Sequence, residues 1–272
     1  MTSLPVVGAA MTLDDVETHR DWLFEKHRDL ELQDFVEAEI LNGDWKPLAE
    51  RARTLLAGHR GRVGIHGPFW GFQIASQDPD IRAVVKKRLD QALDVCGDIG
   101  ATHMVIHSPY TTWSYNHLAA SPREAEKIVE YTHLTLGDAV KRAETLGLTL
   151  VIENIEDKDP QTRVALAASF SSPAVTVSID TGHAHYAHGN TGAPPVDYYI
   201  HAAGERLQHV HLQDADGYAD RHWSLGEGTI LWPSVFAALS KIRSNPRLII
   251  EIKDKSKIPA SAAYLASLGL AQ

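Results

Sequence analysis

The sequence predicts an α/β protein built as one (β/α)8 TIM barrel over residues 1–272. Three observations carry this. Eight short apolar runs rich in β-branched residues recur along the chain, helical patterns follow nearly all of them, and no G-x-G-x-x-G or Walker turn marks an open doubly wound sheet. Near-continuous apolar runs suit strands buried on both faces, and eight strand-helix units fill about 250 residues in a closed barrel.

The runs cover residues 6–11, 30–35, 62–69, 103–109, 149–155, 175–183, 207–214 and 247–254. After the first, Thr12 with Asp15 signals a helix start; after the second, Pro47 precedes the helical stretch 48–56. After the third, Asp78 and Pro79 supply a cap and a preset first helical residue, and Ile81, Val84, Val85, Leu89, Ala92, Leu93 and Cys96 form the apolar stripe. Ser121, Pro122 and Glu124 repeat the device after the fourth. No repeat or linker interrupts the pattern, and residues 189–195 are the most loop-like stretch.

Composition narrows the function. With 35 acidic and 26 basic residues the formal charge is −9, which removes a global electrostatic case for nucleic acid or an anionic membrane. One cysteine, Cys96, excludes an intramolecular disulfide and zinc-finger spacings, so any metal site uses nitrogen and oxygen ligands. The first eleven residues lack a basic leader and are too short to span a membrane, so a cytoplasmic protein is expected. The surplus to explain is 15 histidines.

Barrel chemistry gathers at the C-terminal ends of strands, and the ionisable residues fall there. Each follows an apolar stem: His66 stands in the third run, His107 in the fourth and Glu153 in the fifth, Asp180 and His183 end the sixth, His211 and Asp214 close the seventh, and Glu251 stands in the eighth. Carboxylates and imidazoles on apolar strands are costly unless paired or coordinated, and one divalent ion (Mn, Zn, Co or Mg) held by Glu153, Asp180, His211 and Glu251 would compensate them. His209 lies two residues below His211 on the same strand face, whereas His103 is grouped with histidines at unremarkable positions.

The order and spacing of these residues resemble the xylose isomerase-like barrels, a superfamily of sugar isomerases, ketose 3-epimerases and the endonuclease IV group. The segment Asp180-Thr181-Gly182-His183 is similar to that family's D-x-G-H, and Arg221 to Gly228 to the loop before its last unit. The resemblance implies a metal on Glu153, Asp180, His211 and Glu251, with a sugar or sugar derivative as partner. The catalytic candidates are Glu153 and Glu251, one removing a proton from a metal-polarised ketose and the other returning it through an enediolate. His66, His107, His183, Trp113 and Arg221 are the candidate substrate-binding residues. Trp113 belongs to a set of aromatic residues, with Phe69, Trp70, Phe72, Tyr110 and Trp223, that would wall a sugar pocket. Lys253 shares the strand parity of Glu251 and is expected to be solvated.

Two alternatives belong to the same constellation: a lyase acting on a modified sugar, and a trinuclear zinc phosphodiesterase at abasic DNA sites. The second takes up to three zinc ions, using His66, His107, His183, Asp220 and His222 as additional ligands. The histidine-free opening strand Val7 to Met11, the segment Gly67 to Phe72 and the lack of a lysine- or arginine-rich loop depart from the endonuclease pattern and favour the sugar.

Overall fold

The computed structural model describes residues 4–118 and 122–272. Eight parallel strands close into a barrel in chain order: β1 (Gly8–Met11), β2 (Leu30–Leu32), β3 (Val63–His66), β4 (His103–His107), β5 (Thr149–Glu153), β6 (Val175–Asp180), β7 (Leu207–Leu212) and β8 (Arg247–Ile250). Closure is made by β1 against β8, with Gly8 opposite Ile249 and Ala9 opposite Ile250. Strands β1, β2, β6 and β8 are buried along their whole length, as the apolar runs require.

Every strand is shorter than its apolar run. The sixth run stops at Asp180, whose side chain accepts from the His183 N–H and caps the helix Thr181–Thr191, so His183 stands on a helix rather than a strand. Glu251 likewise lies one residue beyond β8. The capping box of Thr12 and Asp15 forms, and Asp78 caps the helix Pro79–Ile99, which Gly100 ends in the left-handed conformation at φ 70°. In that helix Val85, Leu89, Ala92, Leu93, Val95 and Cys96 are buried, but Ile81 and Val84 are 46% and 49% exposed. Those two lie in helical register with buried Val85 and Val95, at the exposed start of the helix. Of the proposed start at Ser121, Pro122 and Glu124, Ser121 lies outside the described residues; the helix Pro122–Leu146 follows.

Residues 189–195 are less loop-like than their composition suggests, since the helix Thr181–Thr191 continues through Gly189. A Cβ on Gly189 would stand 2.1 Å from the Gly217 carbonyl oxygen, so this glycine serves a close backbone approach. Beneath the site, buried Arg163 pairs with Asp157 at 3.1 Å and donates to the carbonyls of Ile152 and Ser178, tying β5 to β6. A concavity of about 900 Å³ opens at the opposite, N-terminal end of the barrel and contains none of the clustered ligand residues. No described helix is long and apolar enough to cross a membrane.

Candidate metal centre

Strand ends bring the predicted residues together at the C-terminal mouth. Glu153, Asp180, His211 and Glu251 each present a ligand atom, all within 4.8 Å of one another, and all four residues are buried. His211 Nδ1 lies 2.8 Å from Glu153 Oε1 and 3.3 Å from Glu251 Oε2. Two triads flank this tetrad: His66, His107 and Glu153 on one side, and His183, Asp220 and His222 on the other. Glu153 is shared, with its Oε2 at 3.7 Å from His66 Nε2 and 3.6 Å from His107 Nε2. In the second triad Asp220 stands 3.3 Å from both His183 Nε2 and His222 Nε2, and its side chain is 46% exposed.

The protonation pattern fits cations. His66 Nδ1 contacts the Gly67 carbonyl at 2.8 Å, His183 Nδ1 that of Asn154 at 2.9 Å, and His222 Nδ1 that of Glu251 at 3.1 Å. A carbonyl only accepts, so each Nδ1 carries a proton and each ring turns its Nε2 toward a carboxylate. Between that Nε2 and the carboxylate stands either a second ring proton or a metal. Two ligands about 2.1 Å from a tetrahedral ion stand about 3.4 Å apart, which matches the 3.3–3.7 Å separations, whereas His211 Nδ1 to Glu153 Oε1 at 2.8 Å is a hydrogen-bond distance. Among the described residues, buried Glu153 Oε2 and Asp180 Oδ2 have no hydrogen-bond partner. The donors present therefore fit a divalent ion with nitrogen and oxygen ligands.

Electrostatics follow the same division. Burial opposes the charge on Glu153, but His211 and His66 outweigh it and hold the carboxyl well below its ordinary range. Burial pushes Asp180 up to about 6 against the partial offset of His183. It pushes His107 down to about 3. For His222 burial is overcome by Asp220 and Glu251, raising the ring to about 9.

The remaining predicted residues are placed as follows. Trp113 lies on the short helix Thr112–Leu118, 76% exposed and packed on His117. Arg221 pairs with Asp216 at 2.8 Å, its guanidinium over the Trp223 ring. Phe69 stacks on His107 with ring centroids 4.5 Å apart, while Trp70 is 62% exposed. Asp214 is not in the cluster; it accepts from the Ala215, Gly226 and Ile230 N–H groups and from Trp232 Nε1, holding the following loop. Lys253 is exposed, as expected.

The residues missed by sequence reasoning support the ligands from below and beside. Glu31 on β2 is fully buried with His103 and His209, which corrects the grouping of His103 with unremarkable histidines. Burial opposes the charge on Glu31, but His211, His103 and His209 outweigh it and keep the carboxyl well below its usual range. Lys255 Nζ donates to Gln33 Oε1 at 2.8 Å, and Gln33 Nε2 donates to Glu251 Oε1 at 2.6 Å. Gln213 donates to Asp180 Oδ1 at 3.2 Å and Asp220 Oδ1 at 2.8 Å, and accepts from the His222 N–H at 2.7 Å. That last contact holds His222 at φ 49°, sparsely populated for a side-chain-bearing residue. The glycine of Asp180-Thr181-Gly182-His183 also has a reason: a Cβ there would stand 2.2 Å from the Gln213 side chain. The available signal was strand parity, since Glu31 interrupts Leu30 and Leu32 as Glu153 interrupts its own run.

A model of the xylose isomerase-like TIM barrel family matches residues 25–270. The chain belongs to this family. Among characterised relatives, a ketose 3-epimerase of Arthrobacter globiformis is 25% identical over 187 residues, 65% of this chain and 58% of that protein. The chain spans 58% to 70% of the length of the curated relatives it matches. Among solved structures, the TTHB071 protein of Thermus thermophilus, soaked with zinc chloride, is 26% identical with a TM-score of 0.69, covering 96% of this chain and 97% of that one. A D-tagatose 3-epimerase-like protein shares the fold at 20% identity and a TM-score of 0.75, with 96% of each chain covered.

Proposed function

We propose that this chain is a divalent-metal-dependent sugar isomerase or ketose epimerase, with the ion held by Glu153, Asp180, His211 and Glu251. The observation that supports it is the buried tetrad with its partnerless carboxylate oxygens, together with a ketose 3-epimerase among the relatives. A bound divalent ion would supply Lewis acidity to a carbonyl and its neighbouring hydroxyl, making the hydroxyl-bearing carbon acidic. The chain's own groups then move the proton. Glu153 and Glu251 come from the ends of β5 and β8, with the other ligands between them in strand order, so they address a substrate from different sides. One takes the proton and the other returns it. His183 and partly exposed His107 line the mouth as hydrogen-bonding groups for hydroxyls, and Gln33 fixes one oxygen of Glu251.

A second reading, phosphodiester hydrolysis by a trinuclear zinc centre, is favoured by one specific observation: the two triads adjoin the tetrad, one sharing Glu153 and the other containing His183, which stands 3.8 Å from Asp180. Incubating the metal-loaded protein with a panel of ketoses in deuterated water separates the two. The sugar reading expects solvent deuterium at C1 or C3, lost in Glu251→Gln. No exchange with any ketose, together with incision of an abasic-site oligonucleotide, overturns it in favour of the phosphodiesterase.

A further inference from the structure

We infer that Glu31 is the positioning residue for His211, fixing which nitrogen of that ring faces the metal; this rests on the metal-dependent reading above. His66, His183 and His222 each have their outer nitrogen pinned by a backbone carbonyl. Among the described residues, no carbonyl does this for His211. Its Nε2 instead lies 2.9 Å from Glu31 Oε1, while its Nδ1 faces Glu153 and Glu251. Both nitrogens thus face carboxylates, Glu153 at 2.8 Å and Glu31 at 2.9 Å; an ion among the tetrad needs Nδ1 bare, and Glu31 accepts from the proton that then stays on Nε2.

Glu31 is itself packed into a buried layer with two histidines, although its Oε2 makes no hydrogen bond among the described residues. Its Oε2 lies 3.0 Å from His209 Nε2 and 3.6 Å from His103 Nε2, and all three side chains are fully buried. His209 is oriented in turn by Ser178 Oγ at 2.8 Å from its Nδ1. Gly64 makes this layer possible, since a Cβ there would stand 2.1 Å from the His103 ring. The arrangement runs from the barrel interior to the metal-facing nitrogen, through β2, β4 and β7.

The full chain with 15N-labelled histidine, titrated with zinc and followed by long-range imidazole NMR, reads the assignment without any substitution. The expected spectrum has His211 protonated at Nε2 and zinc-shifted at Nδ1; zinc at Nε2, or a proton exchanging between both nitrogens, overturns the inference. Glu31→Gln should lower zinc affinity about 10- to 100-fold, the range for lost outer-sphere partners, with mixed His211 tautomers. Unchanged affinity and a single unchanged tautomer in Glu31→Gln overturn the inference while leaving the metal reading standing. A wild-type chain that takes up no divalent ion overturns both.

Discussion

Replacing Glu153 by glutamine tests whether one carboxylate serves two ligand groups. Glu153 belongs to the tetrad and to the His66–His107 triad, and its side chain is 1% exposed, so water does not replace the lost charge. Removing one member of a buried charge set costs about 3–5 kcal/mol. At about 1.4 kcal/mol per tenfold, that is a loss of roughly a hundred- to a few-thousand-fold in metal affinity. Glutamine keeps the volume, so the effect falls on binding rather than packing. Because the residue is shared, Glu153→Gln should weaken binding at both groups, whereas Glu251→Gln should weaken the tetrad alone. Equilibrium dialysis against Zn2+ with elemental analysis gives number and affinity together. Wild-type affinity in Glu153→Gln refutes the ligand assignment, and identical losses in the two variants refute the sharing.

Other expectations concern the frame. Arg163→Leu leaves buried Asp157 without its partner and should cost about 3–5 kcal/mol in urea unfolding; a change below about 1 kcal/mol contradicts the assigned role. Gly182→Ala forces a Cβ into the Gln213 side chain, an overpacking cost of about 1–3 kcal/mol, and should also weaken metal binding because Gln213 holds Asp180 and Asp220; unaltered zinc affinity counts against that link. Burial raises the Asp34 carboxyl to about 6, above its unfolded value, so its stabilising protonated form is fully present below about pH 4 and lost as pH rises through 6. Asp34→Asn should therefore gain stability relative to wild type between pH 4 and pH 7, and a difference independent of pH rules out the assigned shift.

The strand count and the mouth residues were legible because burial on both faces of a strand leaves a continuous apolar run, and a polar residue closing it has few structural uses. The run ends were not, since Asp180 turns from strand residue to helix cap and carries His183 onto that helix, a local contact that periodicity does not show. Glu31 and His103 were passed over because each belongs to the barrel interior, where a polar side chain is explained only by partners from strands far away in sequence. Gln33 and Gln213 carry no charge, so no desolvation argument singles them out, yet they position Glu251, Asp180 and Asp220. Gly182 and Gly189 show the same limit: both serve close approaches to residues from the β7 end or the loop after it.

Anomalous diffraction at the zinc edge from crystals equilibrated with Zn2+ tests the central claim most directly. The account predicts a peak bounded by Glu153, Asp180, His211 and Glu251, with His211 contributing Nδ1. Full zinc exposure with no peak among those four side chains contradicts it.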